Sequence, residues 1–168
     1  MRIRSMAIAA GVAVLAAVPL SAAPASANGH EGELWAQNLS SYKCLSIGQG
    51  NHTEGALAIQ FDCSLVRNEE NWYWDLVPGA TSTYTLENVV TEQCLAIGGA
   101  SHTNGAGAIQ WPCESGHPEQ QWIYDGNNRL RNKESGRCLA VPHGSEANSV
   151  ALIQWTCEVD KFDQEWAQ

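Results

Sequence analysis

Apolar residues occur along this chain in short bursts, not long stripes. Tyr84-Thr85-Leu86, Cys94-Leu95-Ala96-Ile97 and Trp122-Ile123-Tyr124 are β-prone runs bounded by Gly, Asn and Asp, the pattern of brief strands between turns. Stretches such as Gly98-Gly99-Ala100-Ser101-His102-Thr103-Asn104-Gly105 are too broken for helix and read as loops. One segment differs. Arg2 and Arg4 precede an apolar run from Met6 to about Leu20, and small residues ending Ala25-Ser26-Ala27 follow it. That pattern predicts a signal peptide over residues 1–27, cleaved after Ala27. The run is short and rich in Ala and Gly for a membrane anchor, and no later segment is apolar enough to span a bilayer. The expected product is a secreted, extracellular chain of residues 28–168, one domain's worth of sequence.

The bursts repeat. Cys44-Leu45-Ser46-Ile47 leads to Ile59-Gln60-Phe61-Asp62-Cys63, Cys94-Leu95-Ala96-Ile97 to Ile109-Gln110-Trp111-Pro112-Cys113, and Cys138-Leu139-Ala140-Val141 to Ile153-Gln154-Trp155-Thr156-Cys157. In each copy the cysteines are 19 positions apart and a tryptophan (Trp72, Trp122, Trp166) follows nine positions later. Asn38, Asn88 and Asn132 precede the first cysteines by six positions; Gly55, Gly105 and Ser149 follow them by eleven. One unit is used three times, over about residues 34–79, 80–127 and 128–168. Roughly four strands per unit predict a closed all-β architecture around one core. Three units fall short of the usual four to eight blades of a propeller.

All six cysteines lie in the repeat. An even count in an exported chain predicts disulfides, and of the 15 pairings open to six cysteines the repeat favours Cys44–Cys63, Cys94–Cys113 and Cys138–Cys157. Zinc is the rival reading, but short C-x-x-C spacing is absent. After leader removal, seven Lys and Arg stand against eighteen Asp and Glu, a formal charge of −11. That surface repels nucleic acid and anionic lipid, so neither nucleic acid nor membrane insertion is expected.

Gln120-Gln121-Trp122 and Gln164-Glu165-Trp166 are Q-x-W motifs, and Glu70-Asn71-Trp72 is a degenerate one. Together with the C-L-x-[IV] starts and I-Q-aromatic-x-C ends, they make the chain resemble the ricin B-type lectin domain over about residues 34–168. The resemblance implies a β-trefoil of three Q-x-W repeats: twelve strands, six in a barrel and six capping it, with disulfides inside each repeat. It also implies that Trp72, Trp122 and Trp166 are core residues, and that each unit offers one shallow sugar site.

In that family an aspartate two residues after the first cysteine holds the sugar; here the position is Ser46, Ala96 or Ala140. The family's asparagine just before Q-x-W is replaced by Glu69, Glu119 or Asp163. The aromatic platform remains as Phe61, Trp111 and Trp155, suited to the apolar face of a pyranose. Gln60, Gln110 and Gln154 directly precede these rings, so in a regular strand glutamine and ring face opposite sides, which leaves groove and core both open to the tryptophans. The expected carbohydrate-binding set is Gln110, Trp111, Glu119, Gln154, Trp155 and Asp163, with Gln60 and Phe61 in a weaker first unit. Glu119 and Asp163 either replace the lost aspartate from the opposite wall, accepting hydrogen bonds from sugar hydroxyls, or are surface acids.

His52 and His102 read as turn residues. No paired acids in a glycosidase-like context, no G-x-S-x-G and no phosphate-cradling loop occur. Neither enzyme activity nor a cofactor or metal is therefore expected. The expected function is that of a secreted carbohydrate-binding protein without an attached enzyme, whose glycan or polysaccharide partner is galactose- or xylan-type by family analogy. The alternative is a trefoil scaffold that binds no sugar and acts through protein contacts, as an inhibitor or adaptor.

Overall fold

The computed structural model describes His30 and residues 32–168, and turns the bursts into fourteen short strands. The expected leader lies outside the described residues. The first unit supplies β1 (Glu33–Leu34), β2 (Gln37–Asn38), β3 (Lys43–Ile47), β4 (Ala58–Asp62) and β5 (Trp72–Leu76). The second supplies β6 (Thr83–Asn88), β7 (Gln93–Ile97), β8 (Ala108–Pro112) and β9 (Gln121–Tyr124). The third supplies β10 (Leu130–Asn132), β11 (Cys138–Ala140), β12 (Val150–Ala151), β13 (Ile153–Trp155) and β14 (Trp166–Ala167). Two strands are interrupted, β1/β2 and β12/β13. Counting each as one gives four strands per unit and the twelve of a β-trefoil. Single 3-10 turns are the only helical elements among the described residues.

Every strand pairing is antiparallel. Inside each unit the second and third strands form a hairpin that sets a cysteine opposite an aromatic: Cys44 against Phe61, Cys94 against Trp111, Cys138 against Trp155. The disulfide bridges each hairpin at its open end, with Cα atoms 5.0–5.1 Å apart, and each closed loop stabilises by about 3 kcal/mol in the chain-entropy model. Between units the fourth strand of one pairs with the first strand of the next. Trp72 faces Asn88, Trp122 faces Asn132, and Trp166 returns to face Asn38, closing the ring.

All six of those facing residues have zero exposure. The indole nitrogens of Trp72, Trp122 and Trp166 donate to the carbonyls of Leu45, Leu95 and Leu139 at 2.9–3.1 Å. Each asparagine Oδ1 accepts from backbone N–H groups two and three residues on, and each Nδ2 donates to one or two carbonyls in the three residues before the facing tryptophan. Around the tryptophans lie Leu45, Ile47, Leu86, Leu95, Ile97, Leu130, Leu139, Val141 and Leu152. Burying one such indole is worth on the order of 5 kcal/mol of transfer free energy, so three copies dominate the core.

A second set of contacts locks each unit to one neighbour. Gln60, Gln110 and Gln154 have zero exposure. Gln60 Nε2 donates to the carbonyls of Ser145 and Ala147 in unit three at 2.7 and 2.8 Å. Gln110 does the same to Asn51 and Thr53 in unit one, and Gln154 to Ser101 and Thr103 in unit two. Each Oε1 accepts a hydroxyl from its own unit: Ser41, Thr91 or Ser135, at 2.6–2.8 Å. The clamped loop also donates backbone N–H to the glutamine's carbonyl, from Ser149, Gly55 and Gly105 respectively. Those donors sit at φ 63°, 79° and 85°, left-handed backbone that explains glycine in two units. Ser149 adopts it in the third at a cost on the order of 1 kcal/mol.

Replacing Gln154 with Ala strips partners from two carbonyls and a hydroxyl at once. We expect Gln154→Ala to cost about 2–4 kcal/mol, read as a lower urea midpoint at unchanged m-value. Exposed Glu54→Ala is the control and should stay within about 0.5 kcal/mol.

Candidate functional site

Each unit presents a groove with the same construction. The floor is the residue two after the first cysteine. Ser46, Ala96 and Ala140 are each 2% exposed and too short to fill the space above them. One wall is the aromatic from the third strand. The other is the 3-10 turn before the Q-x-W tryptophan, which carries Glu69, Glu119 or Asp163. A left-handed residue, Gln49, Gly99 or His143, turns the chain at the far end of the hairpin. The volumes are about 470 Å³ for unit one, 280 Å³ for unit two and 440 Å³ for unit three.

Strand alternation decides how the glutamine and its neighbouring ring divide. Gln110 and Gln154 take the inner face and Trp111 and Trp155 the outer, each ring being 40% exposed. The structure therefore places the expected sugar contacts differently. Gln60, Gln110 and Gln154 are buried, and their carboxamides are committed to the clamps between units, so they line no groove. Trp111 lines a groove with Glu119, and Trp155 lines one with Asp163. Both rings lean on the neighbouring unit. A Cβ added at Gly55 would lie 3.8 Å from the Trp111 ring, and one at Gly105 would lie 4.0 Å from Trp155.

The turn that walls the first groove is braced differently. Its Q-x-W glutamine is Glu70, whose side chain is 1% exposed. In the other units that glutamine accepts the backbone N–H of Glu114 or Glu158 and donates to the carbonyl of Pro112 or Thr156. Glu70 still accepts, from Ser64 N–H at 2.6 Å, but a carboxylate has no proton to donate. Arg67 makes up the loss: its Nε meets Glu70 Oε1 at 2.8 Å and its Nη2 donates to the Asp62 carbonyl, the counterpart of Pro112 and Thr156. The guanidinium also covers the Phe61 ring, 4.6 Å from its centroid. Sequence reading passed over Arg67. The signal was an acid in a glutamine's place, which calls for a cation one turn away.

Beside the second groove His117 is bracketed by two carboxylates, Nδ1 to Glu119 at 2.8 Å and Nε2 to Glu114 at 2.9 Å. The hydrogen bond to Glu119, with the nearby negative charges adding to it against desolvation, raises the imidazole above its ordinary pKa. His117 thereby ties the Glu119 carboxylate on the groove wall to a titrating group. His52 and His102 contribute carbonyls, which accept from Gln93 and Arg137; His102 Nε2 also meets Glu134 at 2.9 Å.

The family model for the ricin-type β-trefoil lectin domain matches residues 33–166. The chain belongs to this family. Among solved structures, the lectin domain is similar to a designed threefold-symmetric protein, ThreeFoil, at 26% identity and TM-score 0.73, over 81% of this chain and 96% of that one. It is also similar in fold to part of an exo-β-1,3-galactanase from Clostridium thermocellum (20% identity, TM-score 0.72, 81% of this chain but 29% of that one). A third is the C-terminal half of an earthworm R-type lectin, determined in complex with GalNAc (14% identity, TM-score 0.64, 80% of this chain and 95% of that one). Comparison with curated proteins gave no match.

Two outcomes follow for the lectin domain. Arg67→Ala leaves a buried carboxylate uncompensated and should cost about 3 kcal/mol; Arg67→Ala with Glu70→Gln restores the arrangement of the other units and should recover most of it, measured by denaturant titration of both variants. For His117, a raised folded-state pKa means its stabilisation is complete below about 6.5 and fades as pH rises through the folded value. The Tm difference between wild type and His117→Gln should therefore shrink as pH increases from 6.5, tracked by thermal melts across pH.

Proposed function

We propose that the protein is an exported lectin that binds glycans through its second and third grooves. The observation that carries this reading is the pairing, twice over, of a 40%-exposed tryptophan with a carboxylate across a shallow groove. A pyranose stacks its apolar C–H face on the ring, while Glu119 or Asp163 accepts hydrogen bonds from hydroxyls at the sugar's edge. The carboxylate has thus changed walls relative to the family pattern, and alanine stands where the aspartate would be. Family membership and lectin neighbours support a glycan partner; a galactose- or xylan-type polymer is the finer proposal. Two grooves engaging one polymer gain avidity over either alone. Export rests on the leader and on three disulfides, which persist in oxidising surroundings. Among the described residues no helix is long and apolar enough to cross a membrane.

One observation favours a second reading for the first unit. Arg67 occupies the Phe61 face, and the adjoining Leu65 and Val66 are 90% and 87% exposed. That unit suits a protein contact better than a sugar.

A glycan array followed by tryptophan-fluorescence titration tests the proposal. Trp111→Ala and Trp155→Ala should each weaken binding to a polymer about tenfold, as expected for one lost stacking contact, and the double variant should abolish it. Phe61→Ala should leave affinity unchanged. Silence across galactosides and xylans would turn the assignment to the protein-binding scaffold. Undiminished binding by Glu119→Gln with Asp163→Asn would remove the carboxylates from the site.

A further inference from the structure

Four positions after the second cysteine of each unit stands a basic residue: Arg67, His117 and Lys161. Each leads into the 3-10 turn of its groove, two positions before Glu69, Glu119 or Asp163. Their commitments differ. Arg67 is held by Glu70 and lies over the Phe61 ring. His117 is held between Glu114 and Glu119. Lys161 is exposed and lines the third groove with Glu158 and Asp163. Among the described residues its ammonium makes no ion pair or hydrogen bond. We propose that this free ammonium makes the third groove selective for a sugar that bears a carboxylate, with Lys161 as the residue that binds it. The inference rests on the lectin reading of that groove and adds the class of sugar it takes.

Three groups of this groove suit three parts of such a ligand. The Trp155 ring, 40% exposed, takes the apolar face of the pyranose. The Asp163 carboxylate, with no side-chain partner among the described residues, accepts from ring hydroxyls. Lys161 brings three N–H donors and a full positive charge. A hydrogen bond from an ammonium to a carboxylate is roughly twice as strong as one between neutral groups, whereas a neutral sugar gives Lys161 only hydroxyls. Glu158 and Asp163 repel an anion elsewhere in the groove, so the carboxylate is accepted at one point. His143 stands where the other units have Gln49 and Gly99. It lines the same groove, and its protonated form adds a second positive charge. The second groove offers a tryptophan and a carboxylate too, but among the described residues no Lys, Arg or His lines it. It is also smaller, about 280 Å³ against 440 Å³, which leaves less room for a substituent. The two grooves thus repeat the stacking contact and differ in the charge they present.

The experiment is a calorimetric titration of the full exported chain carrying Trp111→Ala, so that the third groove reports alone. The probes are a galacturonate trisaccharide and sialyllactose, each against its own carboxyl-reduced, neutral form. Short oligosaccharides keep the chain's overall negative charge from opposing a long acidic polymer. We expect at least one acid to bind about fivefold more tightly than its neutral form, and which acid does so separates a uronate from a sialate. Lys161→Gln should remove that preference and leave the neutral form's affinity unchanged, and Lys161→Arg should keep it. Glu158→Gln should strengthen binding of the acid alone. Equal binding of acid and neutral forms overturns the proposal and leaves the lectin reading standing. A preference that survives Lys161→Gln overturns the role of Lys161. Silence of the wild-type chain toward every probe and toward neutral glycans overturns the lectin reading and the proposal with it.

Discussion

A buried carboxamide needs partners for an oxygen and two N–H groups, and Gln60, Gln110 and Gln154 find theirs in two repeats at once. The oxygen takes a hydroxyl from the home unit; the nitrogen reaches two carbonyls of one neighbour. Leaving such a group unsatisfied costs more than satisfying it gains, so the clamp acts less as glue than as a test of assembly. Only when the adjacent unit's loop is correctly seated does the amide become affordable to bury. The backbone bond from Gly55, Gly105 or Ser149 then fixes that loop against the strand carrying the groove aromatic. Ring exposure, groove shape and core closure all follow from the same three side chains.

The clamp also explains why the grooves differ while the scaffold does not. The inner face of each third strand is fixed by its glutamine, and the outer face is open to change. On that outer face Phe61 carries a guanidinium, whereas Trp111 and Trp155 remain 40% exposed. In the first unit the Gln-to-Glu exchange at Glu70 was absorbed by Arg67, which supplied the missing donor from the solvent side. The carboxylate kept its bond to Ser64 N–H, and the turn kept its shape.

Much of this was legible in the sequence because it depends on local rules. The spacing of Cys44 and Cys63 and its two copies fixed the repeat, and the disulfides paired accordingly. Strand alternation correctly put glutamine and tryptophan on opposite faces. It did not say which face was inside, because that depends on whether a buried amide has partners, and the partners of Gln110 lie 57 and 59 residues away. A long apolar ring was the more obvious core candidate than an amide. Three loops whose carbonyls turn toward the glutamines reversed the order. The bracket around His117 differs: Glu114 and Glu119 are its near neighbours in sequence, and only the 3-10 turn between them shows that both carboxylates reach the ring.

The pairing of β14 with β2 has one more implication. Each unit holds the next by an equivalent tryptophan–asparagine contact and an equivalent amide clamp, and the third holds the first. A ring of that kind has no structural beginning. The boundary where Ala167 pairs with Gln37 is built like the other two boundaries between units, and the fold does not depend on which of the three is left open. A circular permutant joined across that gap and opened at another boundary between units would keep every contact the ring needs.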